Sequence, residues 1–225
     1  HYPLRRQRQM CIRDSIKTGK EKWHFSYNPH VISFAANRGV ALLDGKVYLA
    51  TLDGHLIALD AETGAKNFDK TEVYDTSNSF YTMQPLPYTN PSTGKTVLLL
   101  GISNGDWGGI GTIQAINPQD GSVVWKYETI PGPGQPGNKT WSGDSWKRGG
   151  GAVWTMMAID PKSGILYANA GNPQPDFNGP ARKGSNLYSD SLLAIDISGA
   201  KPKLVWYHQS VSYTHLRAHE TVLDL

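Results

Sequence analysis

The stretch from Arg148 to Asn172 combines residue types that can bind a flat cofactor. Three glycines, Gly149–Gly151, allow the backbone to approach another group closely, and Trp154 follows them as a flat aromatic surface. A strand pattern then turns at Asp160–Gly164, and the next strand ends just before Asn172, whose amide supplies an oxygen. A β-hairpin with a core tryptophan would use the same residues, so this stretch alone leaves both interpretations open.

A repeated unit surrounds this stretch and must position its residues. Each copy contains an apolar strand, an Asp or Asn, a short turn that ends in Gly, and then an aromatic residue. The copies lie at Ile16–Trp23, Leu56–Phe68, Ile113–Trp125, Met157–Tyr167 (partial) and Leu192–Trp206. Successive turn glycines are 45, 57 and 43 residues apart, and they are Gly19, Gly64, Gly121 and Gly164. Propeller blades repeat roughly every 40–50 residues. We expect the Asp or Asn to cap the turn, the Gly to take a positive φ, and the aromatic residue to pack between neighbouring sheets.

The composition favours an all-β fold. The 225 residues include 24 Gly, 14 Pro and 7 Trp, which suits many short strands and turns with aromatic side chains in the core. The pattern of Val40–Ala61 predicts a three-strand meander with Asp-Gly turns. Thr129–Gly151 is too rich in Gly and Pro for a regular element, and we expect it to lie over one face of the sheets. Because one blade cannot bury both of its faces, we expect four-stranded antiparallel blades that stack as part of a β-propeller with incomplete end blades.

The two ends of the chain break this pattern. Residues 1–13 and 210–225 lack the repeat register, strand alternation and turn signals of the rest, and both resemble translated sequencing-adaptor sequence. We therefore predict a non-native extension over 1–13, a partial propeller over 14–209 and a non-native tail over 210–225. A basic N-terminal arm and a short C-terminal helix are the alternative for the two ends.

Charge, cysteine content and hydropathy exclude several classes of protein. The formal net charge of +3 comes from arginines in residues 1–13, and residues 14–209 are neutral overall, so no nucleic-acid partner is expected. Cys11 is the only cysteine, which excludes an intrachain disulfide and a cysteine-based metal site. No apolar run reaches the roughly 18 residues of a transmembrane helix.

Four segments resemble, in order and spacing, the quinoprotein dehydrogenases, which use pyrroloquinoline quinone (PQQ). They are Asn37–Gly64, Gly101–Asn117, the pair Gly149–Trp154 with Ala168–Asn178, and Gly184–Asp196. The individual motifs are short, but their shared order over residues 14–209 makes the resemblance specific. It implies a propeller that has eight blades when complete.

The resemblance also implies residues that bind PQQ, a planar ortho-quinone with three carboxylates. The implied PQQ-binding residues are Arg38, Thr82, Ser103, Asn104, Gly105 and Trp154. Trp154 would be the floor under the ring, and Arg38 would donate to quinone and carboxylate oxygens through its rigid guanidinium fork. An ion pair at the surface remains an alternative for Arg38, and a buried strand position remains one for Thr82.

Asp106 and Asn172 lie where the family places an acidic and an amide metal ligand. A hard cation with oxygen ligands is implied, Ca²⁺ by expectation, with a lanthanide not excluded. Asp106 is one methylene shorter than the usual Glu, so the position or the affinity of the metal is expected to differ. The alternative is that Asp106 caps a turn and that Asn172 is a turn residue before Pro173.

The resemblance implies oxidation of an alcohol or sugar hydroxyl, with hydride transfer to the quinone and the metal as Lewis acid. Electrons would leave to a cytochrome c or a quinone, and the location would be the bacterial periplasm. We assign no catalytic residue, because the expected aspartate base would lie beyond Gln209, and this chain alone is therefore expected to be inactive. Asp176 and Asp190 read as loop residues, and Asp196 as a repeat-turn residue.

The chain departs from many family members in one respect, and a non-enzymatic alternative remains. Many family members carry adjacent cysteines shortly before the Asn-Arg-Gly motif, whereas residues 31–36 here contain none. A non-enzymatic propeller, such as a binding scaffold of the bacterial envelope, would share the repeats. The residues that favour the enzyme over the scaffold are Arg38, Asp106, Trp154 and Asn172, because a scaffold has no reason to keep all four at these spacings.

Overall fold

The computed structural model describes residues 9–29, 36–71 and 79–211. Within these ranges the regular elements are β-strands and four short 3-10 helices, at Gly105–Trp107, Asn138–Thr140, Ser145–Arg148 and Gly179–Arg182. This confirms the predicted all-β class. No helix in the described ranges has the length and apolar character needed to cross a membrane.

In the part of the chain that the structure describes, three four-stranded sheets and one two-stranded sheet follow one another. The first sheet contains β1 (Gln9–Asp14) and β2 (Glu21–Tyr27). The second contains β3 (Val40–Leu43), β4 (Lys46–Ala50), β5 (His55–Asp60) and β6 (Lys66–Thr71). The third contains β7 (Leu86–Thr89), β8 (Thr96–Gly101), β9 (Thr112–Ile116) and β10 (Val123–Glu128). The fourth contains β11 (Ala158–Asp160), β12 (Ile165–Ala170), β13 (Ser191–Asp196) and β14 (Lys203–Gln209).

Every sheet is antiparallel, with each strand paired to the next one in sequence. The four-stranded antiparallel blades are therefore confirmed, as is the meander predicted over residues 40–61. The expectation of an incomplete end blade stays a prediction for the first sheet, which has two strands in the described residues. It is wrong for the fourth sheet, which has all four.

The core lies between the sheets. The third strand of each complete sheet is buried along most of its length, as in β9, where all five residues are buried. The fourth strand, such as β10, alternates between half-buried and exposed residues because only one of its faces meets another layer. One apolar cluster spans the second, third and fourth sheets, and a smaller one joins the first sheet to the second. Stacking buries the faces that a single blade would leave open.

The repeat turns have the geometry that their sequence predicts. Asp60 Oδ1 accepts hydrogen bonds from the Glu62 and Thr63 amides at 2.9 and 2.7 Å, and Gly64 has φ 74°. The aromatic residue of one sheet packs on the turn glycine of the next sheet. A Cβ on Gly64 would lie 2.7 Å from the Trp23 ring, and Trp23 Nε1–H donates to Ala61 O at 3.1 Å. Phe68 contacts Gly121 in the same way.

The repeat register inferred around Gly164 is wrong. The turns at Gly64 and Gly121 join the third and fourth strands of their sheets, whereas the turn at Gly164 joins β11 to β12, the first two strands of the fourth sheet. Two hairpins of a blade use the same Asp-x-x-x-Gly turn, because both need a capped turn with a positive φ. The spacing of 43 residues therefore does not measure a blade.

The Gly/Pro-rich segment 129–151 contains two short 3-10 helices and no strand, as predicted. It is fixed to the loop that precedes β13. Trp141 is buried and its indole N–H donates to Leu187 O, while Thr140 Oγ1 accepts from the Leu187 amide at 2.8 Å. The segment therefore packs on the fourth sheet.

The described part of the N-terminal segment carries strand structure. β1 pairs with β2, and Arg13 Nη1 lies 2.9 Å from Ala61 O and 2.7 Å from Glu62 Oε2. Residues 9–13 thus pair as a strand although their sequence lacks strand alternation, and the non-native origin of residues 1–13 stays a prediction. Residues 1–8 and 212–225 lie outside the described residues, as do residues 31–35 of the cysteine-free segment.

Candidate cofactor site

Loops from the second, third and fourth sheets converge on a cavity of about 320 Å³. It is lined by Arg38, Phe80, Thr82, Ser103, Gly105, Asp106, Trp107, Ala152, Trp154 and Asn172. Seven of these are residues that the sequence predicted for the site, and they come from five separate loops. Small-molecule sites span roughly 300–1,000 Å³, so the cavity has room for one compact ligand.

Arg38 is presented by a short turn before β3. Asn37 Nδ2–H donates to Ala50 O at 2.6 Å, and Asn37 Oδ1 accepts from the Gly39 amide at 2.9 Å, which closes an Asx turn. Gly39 has φ 129°, a conformation that side chains rarely adopt. The turn directs the Arg38 side chain to the cavity, where the guanidinium carbon Cζ lies 5.2 Å from the Trp154 ring centroid.

Trp154 forms a flat wall of the cavity. Its side chain is 45 % exposed, although the neighbouring Ala152 and Val153 are buried. Gly171 lies directly beside the indole, and a Cβ there would be 3.3 Å from Trp154 Nε1. A half-exposed tryptophan that lines a cavity offers its ring face to a ligand.

Thr82 and Ser103 hold the Trp154 backbone. Thr82 Oγ1–H donates to Trp154 O at 2.7 Å, and the Thr82 and Ser103 hydroxyls lie 2.7 Å apart. Because Thr82 uses its one proton on Trp154 O, Ser103 is the donor between the two hydroxyls. Arg38 Nη1 also donates to Thr82 O at 3.0 Å. This network places Thr82 at the junction of the Arg38 and Trp154 loops.

The three glycines at 149–151 approach neighbouring parts of the chain: Gly150 lies against backbone, and Gly149 and Gly151 lie against the Ile130 side chain. The Gly151 amide donates to Asn172 O at 2.9 Å, and a Cβ on Gly150 would lie 2.5 Å from that oxygen. The Gly111 amide donates to Gly150 O at 2.7 Å. None of the three is among the residues that line the cavity, so the close approach that they allow is to other parts of the chain. They allow the chain segments that carry Trp154 and Asn172 to pack together.

Asp106 and Asn172 face the same cavity from different loops. Asp106 is exposed in the 3-10 helix after β8, and its Oδ1 accepts from Gln174 Nε2–H at 3.2 Å. Asn172 follows β12, and its Nδ2 is buried with no hydrogen-bond partner. One carboxylate and one amide are oxygen ligands of the kind that hard cations prefer. No group of three or more His, Cys, Asp or Glu suited to a metal occurs in the described ranges.

Asn104 does not line the cavity. Its Nδ2–H donates to Ile110 O at 3.2 Å, and its backbone oxygen accepts from the Trp107 and Gly109 amides. The side chain thus organises the 105–111 loop. The predicted role of Asn104 as an amide donor to the cofactor conflicts with this orientation.

Sequence reasoning missed Phe80, Trp107 and Ala152. The Phe80 and Trp107 rings meet edge to face with centroids 5.2 Å apart, and both line the cavity. Trp107 directly follows Asp106, so its position beside a candidate ligand was the available signal. Phe80 lies on another loop, and an isolated bridge with Ser103 places it beside the cavity. The sequence around Phe80 contains no comparable signal.

Three other aspartates are excluded from the cavity wall. Asp196 accepts from the Ser198 amide and hydroxyl, which lowers its pKa and confirms it as a turn residue. Burial raises the pKa of Asp176 most, and the nearby Asp106 carboxylate raises it further. Burial raises the pKa of Asp190 to about 6, with Asp176 adding to the effect and Arg182 opposing it.

Comparison with known proteins assigns this architecture to a family. A family model described as the PQQ glucose/ethanol/alcohol dehydrogenase β-propeller domain matches residues 14–215. The quinohemoprotein alcohol dehydrogenase ADH IIB of Pseudomonas putida is 38% identical over 215 residues, covering 85% of this chain and 29% of that protein. The quinoprotein alcohol dehydrogenase PedH of Pseudomonas putida is 34% identical, covering 88% of this chain and 35% of that protein.

A solved structure agrees with these relatives. A europium-containing methanol dehydrogenase superposes with a TM-score of 0.76 and 28% identity, covering 91% of this chain and 38% of that one. The chain thus spans about a third of the length of the proteins that it matches. It belongs to the PQQ-dependent alcohol dehydrogenase family and forms part of the β-propeller domain of that family.

Proposed function

We propose that the protein oxidises an alcohol with PQQ bound against Trp154 and a metal ion bound by Asp106 and Asn172. The observation that carries the proposal is the convergence of seven predicted residues, from five loops, on one cavity. The relatives named above are alcohol dehydrogenases, which favours an alcohol over a sugar as the substrate. They also weigh against the alternative of a non-enzymatic scaffold propeller.

The cavity residues fit this cofactor. A planar ring requires a flat partner, and Trp154 is 45 % exposed in the cavity wall. Gly171 lies beside the indole, where a Cβ would be 3.3 Å from Trp154 Nε1. The carboxylates of PQQ require positive charge, which the exposed Arg38 guanidinium supplies with its fork of donors. Asp106 and Asn172 supply two oxygens, a partial coordination shell for Ca²⁺ or a lanthanide.

When bound, PQQ would supply a two-electron acceptor for hydride from the alcohol carbon, and a metal held by Asp106 and Asn172 would supply Lewis acidity. The residues of this chain bind the cofactor and orient it. Trp154 fixes the plane of the ring, Arg38 neutralises carboxylate charge, and Thr82 fixes the Trp154 backbone. Phe80 and Trp107 make the adjoining wall apolar, which excludes water from that side.

The base that removes the hydroxyl proton is proposed to lie outside the described residues. Among the described residues that line the cavity, Asp106 is the only carboxylate, and it is assigned to the metal. A cytochrome c or a quinone is proposed as the electron acceptor, and the bacterial periplasm as the location. Both proposals rest on the family resemblance.

The test is reconstitution of the full-length protein, first freed of metal with EDTA. PQQ with Ca²⁺ or La³⁺ is then added, and dye-linked oxidation of primary alcohols and of aldoses is measured. We expect oxidation of alcohols that requires both the cofactor and a metal and that is lost in Asp106→Ala. Oxidation without PQQ would overturn the proposal, and oxidation of aldoses alone would overturn the choice of substrate.

A further inference from the structure

The Gln174 side chain lies between the two loops that carry the candidate metal ligands. Its Nε2–H donates to Asp106 Oδ1 at 3.2 Å, and its Oε1 accepts from the Asp176 amide at 3.1 Å. An ionised carboxylate can only accept a hydrogen bond and a backbone N–H can only donate one, so a flipped Gln174 amide would lose both bonds. The two partners therefore fix the direction in which Gln174 presents its nitrogen.

The backbone of Gln174 is fixed by the glycine stretch. The Gln174 amide donates to Gly149 O at 3.1 Å, and an isolated antiparallel bridge joins Gly150 to Pro173. Gly150 has φ 73°, and a Cβ there would lie 3.1 Å from Gln174 Cγ. The lack of a side chain at Gly150 thus leaves the space that the first atoms of the Gln174 side chain occupy.

The contact between Gln174 and Asp106 joins loops from two sheets. Asp106 is exposed and belongs to a three-residue 3-10 helix after β8, whereas Gln174 lies two residues beyond Asn172 in the loop after β12. An exposed side chain moves among several rotamers, and fixing it in one of them costs entropy. A hydrogen bond from a donor that is itself fixed favours one position of the Asp106 carboxylate, close to the loop of the other candidate ligand.

We propose that Gln174 is a positioning residue that holds the Asp106 carboxylate beside the Asn172 loop and so prepares the site to bind its metal. The inference rests on the proposed function of the site. Groups that are already held in place lose less conformational freedom when the ligand arrives, which strengthens binding. Removal of a hydrogen-bond partner of a metal ligand commonly weakens metal binding roughly 10–100-fold.

The first test is calorimetric titration of La³⁺ into the full-length protein, freed of metal with EDTA and then loaded with PQQ. Gln174→Met keeps the length of the side chain and removes the donor to Asp106. Gln119→Met is the control, because Gln119 is exposed and its Oε1 accepts from Lys46 Nζ at 3.1 Å. We expect Gln174→Met to weaken La³⁺ binding about 10-fold or more and Gln119→Met to leave it unchanged. Equal affinities of Gln174→Met and wild type would overturn the inference.

A second background shows whether Gln174 acts through Asp106. In Asp106→Ala, the addition of Gln174→Met should cause no further loss of La³⁺ affinity, because the carboxylate that Gln174 positions is gone. Equal losses in the wild-type and Asp106→Ala backgrounds would overturn the inference, since they would mean that Gln174 only supports its own loop.

Hydrogen exchange of the metal-free protein is a readout that needs no metal binding, and it decides the matter if Asp106→Ala binds no La³⁺. We expect Gln174→Met to speed amide exchange over residues 105–109 and to leave exchange in β12 and β13 unchanged. Unchanged exchange over residues 105–109, or faster exchange throughout the fourth sheet, would overturn the inference. A wild-type protein that binds neither PQQ nor La³⁺ would overturn the proposed function, whereas wild-type binding that Gln174→Met does not weaken would overturn this inference alone.

Discussion

Thr82 connects the two loops that carry the cation and the aromatic wall of the cavity. Its hydroxyl donates to Trp154 O, and its backbone oxygen accepts from Arg38. Besides lining the cavity, Thr82 can therefore affect how a ligand is bound through the positions of Arg38 and Trp154.

We expect Thr82→Val to weaken PQQ binding by about 2–13-fold, the effect of losing the hydrogen bond to Trp154 O, worth about 0.5–1.5 kcal/mol. The side chains have nearly the same shape, so the loss should come from a less well fixed Trp154. The measurement is PQQ titration of the full-length protein. Thr89→Val is the control, because Thr89 bonds Thr96 on the exposed side of a hairpin. Equal effects of the two substitutions would contradict this role.

Asp190 makes stability depend on pH. Its pKa is raised to about 6 by burial, above the usual value near 4. Between these values the folded state binds more protons than the unfolded state, so the free energy of unfolding falls as the pH rises from about 4 to about 6. The charged carboxyl is thus a destabilising feature at neutral pH.

We expect Asp190→Asn to raise stability at pH 7.5 and to leave it nearly unchanged at pH 4, as measured by urea unfolding. Asn tolerates the positive φ of 48° at this position. Asp196→Asn should have the opposite sign at pH 7.5, because hydrogen bonds from Ser198 lower the pKa of Asp196 and stabilise its charged form. Equal changes for Asp190→Asn at both pH values would refute the burial argument.

At the scale of elements, the turn glycines connect neighbouring sheets. Gly64 and Gly45 both have a positive φ, of 74° and 71°. They differ in surroundings, because a Cβ on Gly64 would meet Trp23 at 2.7 Å, whereas a Cβ on Gly45 would meet nothing within 4 Å.

This pair separates backbone strain from packing between sheets. Gly45→Ala should cost about 1 kcal/mol from the left-handed conformation alone. Gly64→Ala should cost about 1–3 kcal/mol more, because the Trp23 ring must move. The free energy of unfolding of each variant is obtained from urea denaturation. Equal losses would mean that the aromatic residues do not join the sheets through these glycines.

The strands were predictable from local signals, and the register of the repeat was not. Alternating apolar residues and Asp-Gly turns identify β3, β4 and β5 directly, because the pleat and the turn chemistry are encoded within a few residues. The turn at Gly164 has the same local sequence as the turn at Gly64 but a different place in its sheet. Which hairpin of a blade a turn closes depends on long-range pairing, which a short motif does not contain.

The site was predictable for those residues whose type and motif indicate their chemical role. Arg38, Asp106, Trp154 and Asn172 were identifiable from residue type and motif, and the structure brings them together. The hydrogen bonds that orient them were not identifiable. Asn104 donates to Ile110 O within its own loop and is not among the residues that line the cavity. Such contacts depend on backbone positions that only the folded chain defines.

At the scale of the whole molecule, the sheets bring five loops to one place. The wall residues come from the second, third and fourth sheets, and each loop leaves its sheet at the end of a strand. A cavity built between stacked sheets requires every sheet to be in position, so damage to one sheet should weaken binding without any change to a wall residue.

The central claim is that the cavity binds PQQ on the face of Trp154. The most direct measurement is titration of PQQ into the full-length protein with Ca²⁺ present, followed by quenching of tryptophan fluorescence and compared among wild type, Trp154→Ala and Trp206→Phe. Trp206 lies on β14, away from the cavity. We predict saturable binding that Trp154→Ala weakens at least 10-fold and Trp206→Phe leaves unchanged. Binding that is equally strong in Trp154→Ala, or no binding by the wild type, would contradict the account.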